Sequence, residues 1–283
     1  MPPIPVRNVL VVDADPALKD LLARVLDNRL WTTQYVASNK DAMTAILTKG
    51  FDLVLTGQKT SALQDVELLR AMRRLRPHIR LIILARESAP ADVLASMRAH
   101  AFSLFSAPYS ESQLTEMIRL AIDSPTWDDG IEIVSATPEW IRLRVRCQIR
   151  TADRLVQFLN EIAELPAAER DQVATAFREM LMNAIEHGGQ LDPSNYVEIE
   201  YVRAKHMVSC HIADPGPGFT LDEIPHAAIA NPDDQPTQHI ELREELGIRP
   251  GGYGILMAQN LVDELIYNQE GNEVLLVKYI KSA

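Results

Sequence analysis

The chain has 283 residues, room for two average domains, with 47% hydrophobic and 24% charged residues, an ordinary globular balance. No apolar run approaches the ~18–20 residues of a membrane span, and the start, "MPPIPVRNVLVV", lacks the basic flank, apolar core and small-residue cleavage site of a secretory signal. The net charge of −11 is uneven: residues 1–125 carry 15 basic against 13 acidic side chains (+2) and residues 126–283 carry 13 against 26 (−13), an acidity that argues against nucleic acid as a partner.

From residue 7 onward, apolar runs alternate with amphipathic stretches. In chain order they read "VRNVLVVDAD", "PALKDLLARVL", "YVAS", "KDAMTAILTKG", "FDLVLTG", "DVELLRAMRRL", "IRLIILAR", "ADVLASMRAHA", "SLFSAP" and "ESQLTEMIRLAID". Short, continuously apolar strands with helices between them predict a parallel sheet covered on both faces. Five such units make a doubly wound α/β domain, whose functional residues belong at the carboxyl ends of the strands.

Across its whole length this segment resembles a response-regulator receiver domain, of the flavodoxin-like fold. Receivers hold Mg²⁺ with an acidic pair after the first strand and accept phosphate on an aspartate after the third. A Ser or Thr after the fourth strand and a Lys before Pro after the fifth complete their site. Here "VVDAD" keeps Asp13 but puts Ala14 at the second acid, and Gly57, Ala85 and Ala107 (before Pro108) stand at the other three positions. Glycine has no group with which to attack a phosphorus, and without two of the carboxylates no hard-cation site remains. Asp15 and Asp52 are nearby acids, but Asp52 begins its strand, a sheet's length from the site. The expectation is a phosphorylation-incompetent pseudo-receiver acting as a docking or dimerising surface, which leaves a homodimer possible. Arg70, Arg73, Arg74, Arg76 and Arg80 form a basic cluster suited either to solvent or to an acidic partner.

"DSPTWDDG", residues 123–130, is polar and turn-rich. The expected organisation is therefore a domain at 1–124, a linker at 125–130 and a second domain at 131–283. Strands follow at "IEIVSA" and "WIRLRVRCQ", the latter with Ile141, Leu143, Val145 and Cys147 alternating. In "ADRLVQFLNEIAEL", Leu155, Phe158, Leu159 and Ile162 share one helix face. Both cysteines, Cys147 and Cys210, fall in strand-like stretches and read as buried free thiols, which fits a cytoplasmic setting.

A long helix is expected over "AAERDQVATAFREMLMNAIEHGG". Val173, Phe177, Met180, Leu181 and Ala184 make its apolar face, while Thr175, Glu179, Asn183 and Glu186 fall within about 80° of one another on the other side. Two alternating strands, "NYVEIEYVR" and "MVSCHIAD", run into "DPGPGF". About thirty polar residues later, "RPGGYGILMAQNLVDEL" is a glycine turn opening a helix, and the hairpin "LIYNQEGNEVLLVKYI" follows.

In this order the three motifs resemble the ATP-binding domain shared by gyrase, histidine kinases and anti-sigma-factor serine kinases, the GHKL or Bergerat fold, an α/β sandwich, over residues 131–283. The resemblance implies Mg²⁺ on Asn183, adenine on Asp214 with Gly216 and Gly218, and the phosphates of ATP on Gly251, Gly252 and Gly254, with Arg249 placed to touch phosphate. None of the seven histidines has the setting of a phosphorylated His on a helical hairpin, and His187 reads as a helix-end structural residue. "EMLMNAIEHG" is instead similar to the Glu-x-x-x-Asn helix of the anti-sigma-factor serine kinases, which makes Glu179 the candidate general base, one turn from Asn183. In that family the substrate is a serine on a STAS-domain anti-anti-sigma protein. "RPGGYG" departs from its commoner Gly-x-Gly-hydrophobic phosphate turn. Two readings stay open: a serine kinase in a partner-switching circuit, and an ATP-gated module that holds a STAS protein or a sigma-like factor with little or no catalysis.

Overall fold

Continuously apolar strands have no polar face to offer water, so they demand cover on both sides. The computed structural model describes residues 7–13, 15–26, 30–123, 130–220, 227–231, 235, 237–245 and 252–280. It divides into two compact units, Met1–Asp129 and Gly130–Ala283. The first runs β1 (Arg7–Val12), α1 (Pro16–Val25), β2 (Trp31–Val36), α2 (Asn39–Thr48), β3 (Leu53–Thr56), α3 (Ala62–Leu75), β4 (Arg80–Ala85), α4 (Pro90–Arg98), β5 (Ser103–Ser106) and α5 (Glu111–Asp123).

These strands form one parallel sheet in the order β2-β1-β3-β4-β5, a doubly wound topology whose crevice lies at the carboxyl ends of the strands. Every residue of β3 is buried. Val9, Val11, Leu55 and Leu84 pack with Leu22, Leu114 and Ile118 in one core. Local chemistry sets the helix starts. Asp15 accepts the Ala17 N–H beside Pro16, Ser38 accepts that of Asp41, and Ser61 and Gln64 close a capping box. Each such cap stabilises its helix by ~1 kcal/mol. The basic cluster is partly committed inside this unit. Arg73 donates to the carbonyls of Ala99 and His100, both at 2.6 Å, and so closes the end of α4, while Arg70, Arg74 and Arg76 are exposed.

The second unit runs β6 (Ile131–Thr137), β7 (Trp140–Arg146), α6 (Ile149–Ile162), α7 (Ala167–Asn183), β8 (Tyr196–Arg203), β9 (Met207–Ala213), α8 (Gln238–Glu245), α9 (Gly254–Leu261), β10 (Glu264–Tyr267) and β11 (Glu273–Tyr279). Its strands form an antiparallel sheet ordered β10-β11-β9-β8-β7-β6. Alternation decides which face is buried: Ile141, Leu143 and Val145 from β7, Val197, Ile199 and Tyr201 from β8, and Val208, Cys210 and Ile212 from β9 all point one way. The register pairs Leu143 with Ile199, Ile199 with Ile212 and Cys210 with Leu276. Against that face pack helices whose buried residues include Leu155, Phe158 and Ile162 of α6 and Val173, Phe177, Met180 and Leu181 of α7. Both cysteines are free and buried.

Two local features differ from the sequence reading. The long helix does not run on through His187; α7 stops at Asn183 and passes into a π-helical turn, Ala184–Gly188, closed by the Gly189 N–H on the Ala184 carbonyl. The polar stretch after β9 contains a 3₁₀ turn, Ala228–Ala230, and the helix α8. Its composition hid α8, because a helix of eight mostly polar residues shows no apolar period. Among the described residues no helix is long and apolar enough to cross a membrane.

One buried carboxylate sets a pH dependence for the first unit. Asp65, in the first turn of α3, is 1% exposed, with Asn39 Nδ2 3.5 Å from its Oδ1. Burial pushes its pKa up to about 6, only partly offset by the neighbouring polar side chains of Thr60, Thr56 and Asn39. Between the ordinary value of 3.8 and about 6 the folded state therefore binds more protons than the unfolded one, and stability falls as pH rises through that window. The loss should reach on the order of 2–3 kcal/mol. In urea titrations at pH 4 to 7, Asp65→Asn should flatten this decline and leave the unit more stable than wild type at pH 7.

Candidate functional site

At the carboxyl edge of the parallel sheet the structure gathers Asp13, Gly57, Ala85 and Ala107, while Ala14 lies outside the described residues. Asp13 is 2% exposed. Its Oδ1 accepts the Asp15 N–H at 2.8 Å and lies 3.8 Å from Lys59 Nζ. A Cβ placed on Gly57 would come within 2.2 Å of Asp13 Oδ2. The Asp13 carboxylate thus fills the space that a side chain at residue 57 would need. Asp52 is at the opposite end of β3, where its carboxylate accepts the Asn8 N–H and pairs with Arg7.

The second unit holds a cavity of about 1040 Å³, at the upper end of the ~300–1,000 Å³ usual for ligand pockets. Glu179 and Asn183 line it from α7, Asp214 and Gly218 from the turn after β9, Gly252 from the turn before α9 and Gly254 from the first residue of α9. The π-helical turn adds Glu186, His187 and Gly188. One turn apart on a helix, Glu179 and Asn183 share a face by geometry alone. Thr175 of the same stripe is exposed and caps the Asp171 carbonyl instead. Arg249 and Gly251 lie outside the described residues.

Asp214 is built into its place by backbone. Its Oδ1 accepts the Gly216 N–H at 2.8 Å, and burial raises its pKa against the lowering effects of that bond and of His187. A Cβ on Gly188 would lie 2.0 Å from Asp214 Oδ1, and one on Gly216 would lie 2.7 Å from Gly188 Cα. Only glycine fits at either position. Gly218 has φ +81°, and its Cβ would meet the Glu270 carbonyl oxygen at 1.8 Å, so both the conformation and the space there require glycine. Gly254 abuts the long helix: a Cβ on it would stand 2.8 Å from Glu179 Oε2.

Several residues around the site carried no recognisable signal on their own. Gly188 closes the "EMLMNAIEHG" motif and Gly189 follows it, but neither carries a local signal of what it packs against. In the structure a Cβ on Gly189 would collide with Cys147 Sγ at 2.1 Å. Phe219 and Tyr267 meet edge to face with centroids 5.2 Å apart, and the Tyr267 hydroxyl donates to Met180 Sδ at 3.2 Å, giving the cavity an aromatic and thioether wall. The turn between β10 and β11 supports the Asp214–Phe219 loop. Asn268 Oδ1 accepts the N–H groups of Gly271, Asn272 and Glu273, and Asn272 Nδ2 reaches the Gly216 carbonyl at 3.4 Å. Among the described residues no group of three or more His, Cys, Asp or Glu side chains is placed to hold a metal ion.

Residues 9–119 match the family described as the response regulator receiver domain, and residues 141–278 match the histidine kinase-like ATPase domain. Among curated proteins, the transcriptional regulatory protein ZraR of Salmonella typhimurium is 25% identical over 156 residues, covering 55% of this chain and 34% of that protein. The chain therefore spans about a third of the length of that relative. The serine-protein kinase RsbW of Oceanobacillus iheyensis is 25% identical over 154 residues, covering 54% of this chain and 87% of that protein. Of solved structures, a CheY-like receiver domain protein from Methanospirillum hungatei is 24% identical with a TM-score of 0.38, over 42% of this chain and 95% of its own. The chain joins a response regulator receiver domain to a histidine kinase-like ATPase domain.

Proposed function

We propose that the second domain binds Mg-ATP and transfers its terminal phosphoryl group to a serine of a STAS-type partner, within a partner-switching circuit. In this reading the domains span 1–124 and 131–283, joined by a linker at 125–130. The observation that carries it is the convergence of Asp214, wedged between glycines, with Glu179 and Asn183 on one cavity wide enough for a nucleotide. The likeness to a serine-protein kinase over 87% of that relative's length supports the choice of substrate class.

Each residue type suits its assignment. The Asp214 carboxylate accepts the adenine amino hydrogens, and the glycines beside it let the backbone come close to the ring. Backbone amides at the turn opening α9 favour phosphate charge. Asn183 would hold Mg²⁺ through its amide oxygen, a hard ligand of the kind this ion takes. Mg²⁺ would supply neutralisation of phosphate charge. Glu179 takes the proton of the serine hydroxyl as that oxygen attacks the terminal phosphorus, and ADP leaves.

The receiver domain is proposed to be unable to accept phosphate and to serve as a docking or dimerising module. Asp13 occupying the space above Gly57 supports this, as do Ala85 and Ala107 at the other two positions. After treatment with acetyl phosphate, mass spectrometry should find no phosphoaspartate in residues 1–124; a stable adduct there overturns the assignment.

Removal of the Asp214 carboxylate tests the nucleotide site. Asp214→Ala should weaken ATP binding by ~2–3 kcal/mol, tens to hundreds-fold, in calorimetry. Because burial holds the Asp214 pKa above that of an exposed aspartate, wild-type affinity should fall on acidification at a higher pH than an exposed carboxylate would give, and this step should vanish in the variant. Unchanged affinity in Asp214→Ala removes adenine from this position.

Glu179→Gln separates binding from transfer. It keeps shape and hydrogen bonding, so ATP affinity should stay within about twofold, while phosphorylation of the partner serine from radiolabelled ATP drops ~10²–10⁴-fold, the usual contribution of a positioned base. If wild type binds ATP and labels no STAS partner, or if the variant labels it equally well, the chain acts instead as an ATP-gated binding module.

A further inference from the structure

α8 is a polar helix that buries the wrong residue for its composition. Its sequence is "QHIELREE", and it leaves Ile240 38% exposed while His239 is 0% exposed. A helix that hides a histidine in preference to an isoleucine is placed by hydrogen bonding, not by apolar area. The bonds are specific. The His239 backbone N–H donates to Asn231 Oδ1 at 2.9 Å, and the Asn231 side-chain nitrogen stands 2.6 Å from His239 Nδ1. A backbone N–H can only donate, so the Asn231 atom facing it is the oxygen. The amide NH₂ then points at Nδ1, which must accept and therefore carries no proton.

The other contact of this ring leads to the site. His239 meets Tyr253 edge to face, with centroids 4.5 Å apart and planes at 88°. Tyr253 sits between Gly252 and Gly254, both in the cavity wall. Gly252 has φ +91°, and its carbonyl accepts the Ala228 N–H at 2.9 Å. With a glycine on each side, Tyr253 is the one side chain in the turn that a neighbour can grip, and two glycines give the backbone freedom that has to be removed before a ligand can be held tightly.

We infer that His239 is a positioning residue for the Gly252–Gly254 turn: oriented by Asn231 and packed on Tyr253, it fixes the backbone amides that take the phosphate tail of the nucleotide. This rests on the ATP reading of the cavity, in which Asp214 holds the base. His239 therefore governs the advantage of ATP over adenosine, and leaves adenosine itself to Asp214.

The test is calorimetric titration of the full chain with ATP and with adenosine. Wild type should prefer ATP. His239→Ala should weaken ATP binding by about tenfold, the worth of one well-placed hydrogen-bonding and packing contact, and change adenosine binding by no more than about twofold. His239→Asn puts an amide oxygen where Nδ1 accepts, and should recover ATP affinity to within about threefold of wild type. Asn231→Ala, which removes the partner and keeps the histidine, should reproduce the selective loss, and it serves as the test if His239→Ala does not fold. Equal losses for both ligands, or an unchanged ATP-to-adenosine ratio in the folded variants, overturn the positioning role while the ATP site stands. A wild type that binds neither ligand overturns the ATP reading and this inference together.

Discussion

The Asp214 carboxylate is pinched between two pieces of backbone, at Gly188 and Gly216, and most of the second domain's site follows from that contact. Ala in place of Gly188 would put a carbon 2.0 Å from Asp214 Oδ1, so the end of the long helix and the turn after β9 approach only because Gly188 and Gly216 carry no side chain. The π-helical turn at Ala184–Gly188 is what delivers Gly188 to this seam. A π turn adds a residue to the helical repeat and shifts the direction of the chain that follows. Glu179 and Asn183, just before the turn, therefore keep regular helical spacing, while Gly188 and Gly189 leave the helix toward Asp214 and Cys147. Cys147 belongs to this packing rather than to chemistry. It is fully buried against Gly189, and burial pushes its thiol pKa up to about 11, far from the thiolate a nucleophile needs.

A second seam supports the first from the other side. Gly218 and Gly271 leave no room for side chains between the Asp214–Phe219 loop and the β10–β11 turn, where the Phe219 N–H donates to the Glu270 carbonyl at 3.1 Å. One asparagine, Asn268, orders that turn by accepting three consecutive backbone N–H groups. The loop carrying Asp214 is thus positioned by a hairpin some fifty residues further along the chain. Its precision depends on long-range backbone contacts, which have no local sequence signature beyond the glycines and asparagines themselves.

Where periodicity was strong, the sequence was legible. Continuous apolar runs identified β1, β3, β4 and β5 of the parallel sheet, whereas β2 is the edge strand "WTTQYV", has no buried residue and shares only Tyr35 and Val36 with the run "YVAS". Alternation in "WIRLRVRC" and "MVSCHIAD" gave the buried face of the antiparallel sheet. Of the residues assigned to the site by spacing and motif, Glu179, Asn183, Asp214, Gly218, Gly252 and Gly254 line one cavity, Gly216 sits behind Asp214 against Gly188, and Arg249 and Gly251 fall outside the described residues. What the sequence hid has a common physical cause. α8 is held by a histidine, an asparagine and a tyrosine rather than by an apolar stripe, so no hydrophobic period marks it. The π turn is a change of hydrogen-bond register inside a pattern that reads as uninterrupted helix. The Tyr267–Phe219–Met180 wall joins residues nearly ninety positions apart. Arg73 looked available in a basic run, and only the fold shows that the end of α4 uses it.

In the receiver domain, fold and site chemistry rest on different residues. Its stability lies in strand interiors such as Val9, Val11, Leu55 and Leu84, and in capped helices, whereas the phosphoacceptor chemistry of such domains lies in a few residues at the strand ends. Those ends can change with little cost to the core, but the change is not simply reversible. With no side chain at Gly57, the Asp13 carboxylate occupies the vacated space, bonded to the Asp15 N–H and facing the Lys59 ammonium. A carboxylate introduced at residue 57 would collide with Asp13 before it could meet a phosphodonor, and it would place two negative charges where one is already desolvated. A carboxylate acceptor at residue 57 would need Asp13 to be displaced and Lys59 to find a new counter-charge. At this edge the ammonium of Lys59 supplies positive charge beside Asp13.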